Sequence, residues 1–296
     1  MDETGQPQAD EKARVLRPGV LHGSRLRCHP LHQRSNIRRT TKEVLKDLPP
    51  KITSVIPFRV QGYSEYQHAE ENFAEWLAEK SPEKKDKALK AEAIVKMGYL
   101  KRLAANLKMP QVLKWVDDFL EESEGKIIIF AIHKNVIARI KERYKRISVK
   151  LDGETSMADR KTAVTQFQND RKIRSFIGNI KAAGTGINLT AANTVLFSEI
   201  DWVPGNHTQA AKRAHRIGTV SKVRVIYTVA RDTIEEDLLK IIQTKQKSIN
   251  KALDGNGSAM EMNVYDQLME QIMRTARLPP QMIAKRAARY PLETKG

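Results

Sequence analysis

The sequence predicts an α/β fold: a parallel sheet with helices on both faces, preceded by a helical region and followed by a helical tail. Three observations carry this. From Gly125 the hydrophobic period changes from helical spacing to short apolar runs of strand length. The first run, KIIIFAI, is continuously apolar, as a strand buried on both faces must be. Further strand-length runs then alternate with amphipathic helical stretches, which is the rhythm of a parallel sheet.

Residues 1–36 show neither period. They mix Pro, Gly, Arg and His, as in RPGVLHGSRLRCHPLHQRS, and read as irregular and disordered. His22, Cys28, His29 and His32 lie close together there, but a metal site needs four well-spaced ligands, and none is expected. Arg38 to Lys51 reads as a short amphipathic helix stopped by Pro49-Pro50, followed by a strand, ITSVIPFRV, interrupted by Pro57. Residues 63–122 are mostly helical. Tyr66, Phe73, Trp76 and Leu77 recur at helical spacing as one core face, and Leu113, Val116 and Leu120 as a second, with Trp115 packed beside it.

After KIIIFAI the elements run in order: NVIARIKERY as a helix, ISVKLDG as a strand, SMADRKTAVTQFQ as a helix capped by Ser156, and IRSFIGNI and TVLFSEI as strands. NHTQAAKRAHRI reads as a helix, VRVIYTVA as a strand, and TIEEDLLKIIQTKQKSINKAL as a long helix. Residues 254–296 form a tail with methionines at helical spacing, either packing or a partner surface. The organisation is thus 1–36 irregular, 37–122 helical, 123–253 the α/β lobe and 254–296 the helical tail.

The 296 residues carry 52 Lys+Arg against 35 Asp+Glu, a net charge of +17, which points to a polyanionic partner, nucleic acid before membrane. The single cysteine rules out an internal disulfide and fits a reducing compartment. No apolar run approaches the roughly 20 residues that span a bilayer, and the N-terminus lacks a signal peptide's apolar core. We expect a cytoplasmic chain, prokaryotic or phage-like in setting, neither secreted nor membrane-bound.

In open α/β sheets ligands sit at the carboxyl ends of the strands. The chemistry is therefore expected in AIHKN, LDGETS, NIKAAGTGIN and EIDWVPGN, and in the helix that follows. On a helical wheel Gln209, Arg213 and Arg216 of QAAKRAHRIG share one stripe within about 60°, beside a stripe of Ala210, Ala211, Ala214 and Ile217. The small face suits close packing on the sheet. Two guanidiniums side by side repel and so suit a phosphate, which each can grip with two bonds. Alone, such a stripe is more often solvated surface. The Gly184–Gly186 pair equally suits an ordinary turn, and Trp202 of DWVPG either stacks on nucleic acid or packs.

Taken together, KIIIFAIHKN, KLDGETSMADRKTAVTQFQ, NIKAAGTGINLTAANTVLFSEIDWVPG, QAAKRAHRIG and VRVIYTVARDTIEEDLLKII resemble the second RecA-like lobe of Swi/Snf-type helicase-like ATPases. The resemblance covers Ile37 to Leu253, and SEIDWVPG with HRIG is similar to the annealing-helicase branch. It implies an ATP-dependent translocase on double-stranded or branched DNA, with residues 37–122 between its lobes. It implies Arg213 and Arg216 as arginine fingers, with Gln209 coupling nucleotide to lobe closure. Gly184, Gly186 and Asn188 would lie near the nucleotide. Lys181 and Trp202 would lie near DNA, joined by His133 and Lys134 of AIHKN. The chain departs from the family pattern at Ile180, Ala183, Thr185, Val203 and Thr219.

No GxxxxGK[ST] occurs, and no buried strand ends in Asp-Glu. ATP and Mg are therefore expected only with a first lobe supplied in cis or trans, and this chain alone is expected to bind neither and to be an incomplete, inactive enzyme. The alternative is a degenerate lobe that binds DNA or protein without hydrolysis. A nuclease lacks support, since Asp152, Asp159 and Asp201 are scattered.

Overall fold

The computed structural model describes residues 45, 47–80, 87–183, 186–253 and 264–275. Among them six strands form one sheet: β1 (Lys51–Phe58), β2 (Lys126–Ala131), β3 (Ser148–Leu151), β4 (Ser175–Asn179), β5 (Ala192–Phe197) and β6 (Val223–Ala230). Their order is β1-β6-β5-β2-β4-β3, and every pairing is parallel. The described helices are α1 (Tyr63–Lys80), α2 (Lys87–Glu122), α3 (Lys134–Arg143), α4 (Met157–Asn169), α5 (Pro204–Ala211), α6 (Ile234–Leu253) and α7 (Val264–Thr275).

Strand β2 shows why the sheet must be covered twice. Ile127, Ile129 and Ala131 point into a core shared with Met109, Val112 and Val116 of α2 and Ile137 and Ile140 of α3. Ile128 and Phe130 point the other way, toward Phe167 of α4 and Ala210 and Ala211 of α5. All five are fully buried, so alternation by side yields no alternation in hydrophobicity. A third core lies beyond β6, where Tyr66, Phe73 and Leu77 of α1 meet Leu238 and Ile242 of α6 and Leu268 and Ile272 of α7. The tail helix therefore packs, and Met269 packs with it.

Polar anchors join these layers. Lys108 of α2 is wholly buried and donates from Nζ to Glu235 at 2.6 Å and to the Thr228 carbonyl at 2.7 Å. Glu235 Oε2 also accepts the Ala230 amide at 2.9 Å, so one ion pair pins α2, β6 and α6. The N-cap at Ser156 forms as expected, its hydroxyl oxygen accepting the Asp159 amide.

Two local readings change. The strand that meets Pro57 is not interrupted: β1 runs through it as an edge strand, where one row of N–H groups needs no sheet partner. It also joins the main sheet beside β6. Of the helix expected over Arg38 to Lys51, the described end is a turn closed by Leu48 N–H to the Leu45 carbonyl at 3.2 Å. Pro49 and Pro50 remove the N–H groups that a helix would use there. Residues 38–44 lie outside the described residues, as do His22, Cys28, His29 and His32. No helix among the described residues is long and apolar enough to cross a membrane.

His207 of α5 is 3% exposed, edge-on to Phe197, with its Nε2 accepting the Asp201 amide at 2.9 Å. Burial lowers its pKa to about 4, against a partly offsetting pull from Asp201. The unfolded chain takes up the proton near pH 6.5 and the folded chain only near pH 4, so stability is full above about 6.5 and falls as pH drops toward 4. The loss is expected to approach about 3 kcal/mol. His207→Gln keeps an acceptor but cannot titrate. Thermal unfolding at pH 7.5 and pH 4.5 should show a smaller pH dependence in the variant.

Candidate functional site: a lysine cleft and an arginine turn on opposite edges of the sheet

At the carboxyl edge, two side chains fix the loops. Asn179 ends β4. Its amide donates to the Ile132 carbonyl at 3.0 Å, while Oδ1 accepts the Lys181 and Ala182 amides at 3.0 and 3.3 Å. Glu199, just past β5, is wholly buried and accepts the Ile132 and His133 amides at 2.6 and 2.9 Å. It also pairs with Nδ1 of His133. Burial opposes its charge, but the His133 ring and the two amides outweigh burial and hold its pKa below the ordinary value.

The loops so held border an open cleft of about 540 Å³, lined by Lys134, Lys181, Arg160, Asp152, Asn179 and Ile132 among others. Lys134 pairs with Glu154, both highly exposed, so a competing anion can displace the carboxylate at little cost. Lys181 is exposed. Arg160 is committed to the protein: it donates to the carbonyls of Asp152, Thr155 and Ala182. Lys134 and Lys181 are thus the two solvent-exposed cations lining this cleft, while His133 has one ring nitrogen tied to Glu199.

The arginines lie elsewhere. The stretch expected as one helix through Ile217 is helical only to Ala211. From there the chain continues in tight turns, with Arg213 N–H bonded to the Ala210 carbonyl and Ala214 N–H to that of Ala211. Ala210, Ala211 and Ala214 are buried as expected, but Ile217 is 70% exposed because the turn carries it off the packed face. The helical stripe of Gln209, Arg213 and Arg216 is therefore corrected: Gln209 is exposed near the end of α5, and the arginines project from the turn after it.

Contacts to three neighbouring segments hold this turn. The Arg213 carbonyl accepts the Leu189 amide at 2.9 Å. The Arg216 amide donates to the Thr219 hydroxyl at 3.1 Å, and that hydroxyl lies 2.7 Å from the Ala214 carbonyl, to which it can donate. His215 Nε2 donates to the Pro49 carbonyl at 2.7 Å. Arg213 itself reaches the Ile187 carbonyl at 3.5 Å, between Gly186 and Asn188. Burial, and then repulsion from Arg216, lower the Arg213 pKa. Gly186 has φ +69°, which glycine adopts freely. Gly184 and Thr185 lie outside the described residues.

These partners precede β5, β6 and β1, so the arginine turn sits at the amino edge of the sheet. This is the edge opposite to the carboxyl edge expected from the sequence. The correction follows from α5, which carries the chain back across the sheet before the arginines arrive. Lys181 lies at the cleft, whereas Gly186 and Asn188 flank Ile187, whose carbonyl Arg213 reaches at the other edge.

Trp202 belongs to neither group. Its ring lies 4.8 Å from Tyr265 of α7, with Lys101 Nζ 4.9 Å from its centre, and it packs into the third core. The family departures also have local partners. Ala183 is buried against Gly178, where an added Cβ would fall 2.9 Å from the Ala183 methyl. Val203 is exposed at the start of α5, its amide held by Asp201 at 2.8 Å. Thr219 supplies the hydroxyl of the arginine turn. Glu199 was missed in the sequence, where it stands as one charge at the end of an apolar strand. Among the described residues no group of three or more His, Cys, Asp or Glu gathers to hold a metal.

Residues 109–218 match the helicase conserved C-terminal domain. The Xenopus tropicalis SWI/SNF-related matrix-associated actin-dependent regulator of chromatin subfamily A-like protein 1 is 34% identical over 219 residues, 73% of this chain and 23% of that protein. The mouse DNA annealing helicase and endonuclease ZRANB3 is 31% identical over 247 residues, 80% of this chain and 22% of that protein. The chain thus spans about a quarter of the length of the curated relatives it matches. The Sulfolobus solfataricus SWI2/SNF2 ATPase core, solved in complex with dsDNA, shares the fold with a TM-score of 0.60 at 22% identity, over 82% of this chain and 54% of that one. The parallel sheet and the shared sequence converge: the chain carries a Swi/Snf-type helicase C-terminal lobe.

Proposed function

We propose that this chain serves as the C-terminal lobe of an ATP-dependent translocase on double-stranded DNA. In this reading the lysine cleft holds the phosphate backbone, and the arginine turn faces a nucleotide carried by another lobe. The observation that carries it is the separation of two cationic sites on opposite sheet edges, joined by residues 180–191. Such an arrangement suits two different polyanions. The relatives named for SWI/SNF and for DNA annealing support DNA as one of them.

ATP fits the arginine turn from one side only. Arg213 and Arg216 suit its outer phosphate, where they would stabilise negative charge that develops during transfer. The 296 residues contain no GxxxxGK[ST], and the described residues gather no acidic cluster for Mg. The phosphate cradle and the metal would come from a first lobe, in cis or in trans. In this reading Gln209, exposed near the end of α5, would couple lobe closure to the turn beside it.

Binding of duplex DNA by the chain alone is expected to weaken with salt, because each phosphate contact releases counterions. Replacing Lys134 and Lys181 together with alanine should lower the slope of log affinity against log salt by about 2. Fluorescence anisotropy across a salt series checks this, and an unchanged slope would remove the cleft from the DNA site.

With a matching first lobe added, Arg216→Ala should reduce DNA-stimulated ATP hydrolysis by about 10³-fold or more. Turnover that survives the substitution would favour a lobe used only for binding.

A further inference from the structure

The β2–α3 loop is held in an unusual way. A wholly buried carboxylate receives two successive backbone amides, from Ile132 and His133, and the ring of His133 as well. This is a built anion site whose anion is the protein's own Glu199. Its partners are contributed by the loop, and its own backbone belongs to β5's end, so the grip fixes one loop against a different strand. Asn179 anchors the Ile132 carbonyl on the other side of the same peptide. Lys134 is the next residue, opens α3 and borders the cleft. The N-cap residue of α3, His133, makes no side-chain cap bond, since its ring is turned to Glu199.

Other charged groups close the site from behind. Lys101 of α2 is 2% exposed and close enough to feel both Glu199 and Asp201. Its ammonium also lies over Trp202, which Tyr265 of α7 covers. Ring contacts therefore run from the tail helix through Trp202 to Lys101, whose charge acts on Glu199, and hydrogen bonds run from Glu199 to the loop that leads to Lys134.

We propose that Glu199 is a positioning residue for polyanion binding, fixing the Ile132–His133 peptide so that Lys134 faces the cleft at the spacing set by Lys181. This rests on the reading of the cleft as the DNA-backbone site. Glu199 touches no ligand in this scheme. It acts through Lys134; among the described residues it makes no bond to the Lys181 loop, whose Lys181 amide goes to Asn179 Oδ1 while the Asn179 amide carries the Ile132 carbonyl. A positioning role predicts a larger effect at Lys134 than at Lys181, whereas general support of the fold would affect both lysines alike.

The test is a double-mutant cycle on duplex-DNA affinity with the full chain. Alone, Lys134→Ala and Lys181→Ala should each weaken binding about five-fold at low salt. In a Glu199→Gln background, Lys134→Ala should cost less than about two-fold while Lys181→Ala keeps its full effect. Equal effects of Lys134→Ala in both backgrounds would overturn the proposal. Hydrogen exchange of the unmodified chain gives a second arm that needs no variant to fold. The Ile132 and His133 amides, though in a loop, should exchange about as slowly as those of β2. Exchange at the rate of an exposed loop would overturn the proposal. If Lys134→Ala has no effect in the unmodified background, the DNA reading fails while the exchange result still decides whether Glu199 grips the loop.

Discussion

All six strands run in one direction, and that constraint sets the distance between the two cationic sites. A parallel strand cannot be followed by its neighbour without a return crossing of the sheet. After β5 the return is made by α5, which delivers Arg213 and Arg216 to the amino edge. The segment after β4 begins with Lys181 at one edge, and its residues Ile187 and Leu189 meet Arg213 at the other. Its described anchors are specific: Asn179 at the start, the Leu189 amide on the Arg213 carbonyl, and Gln168 holding the Ala191 amide at its end.

The arginine turn gains from not being a helix. On a continuing helix both guanidiniums would leave along one straight flank. In the turn, Arg213 is half-buried against the Ile187 carbonyl and Arg216 is free of the packed face. The hydroxyl of Thr219 takes the place of a further turn of helix by accepting the Arg216 amide and reaching back to Ala214. His215 ties the same turn to Pro49, where the chain enters β1. The segment that leads into the lobe and the residues that face outward from it are thus mechanically joined.

The sheet was legible in the sequence because burial on both faces forces continuous apolar runs, as in KIIIFAI, and because the helices between them keep a clear period. The end of α5 was not legible. Ala210, Ala211 and Ala214 pack against the sheet whether the backbone is helical or in tight turns, so their spacing cannot distinguish the two. Ile217 was misplaced for that reason. Glu199 was missed because its value lies in backbone amides from a distant strand end, which leave no mark in the sequence around it. The residues around Trp202 do not distinguish stacking on a ligand from packing, because the ring that covers it, Tyr265, comes from the tail helix.

The separation of the two sites is tested most directly by chemical footprinting of lysines and arginines on the chain, with and without duplex DNA, read out by mass spectrometry. The expected result is protection of Lys134 and Lys181 by DNA, with Arg213 and Arg216 labelled as in the free protein. Protection of the arginine turn, with the two lysines left reactive, would contradict the account.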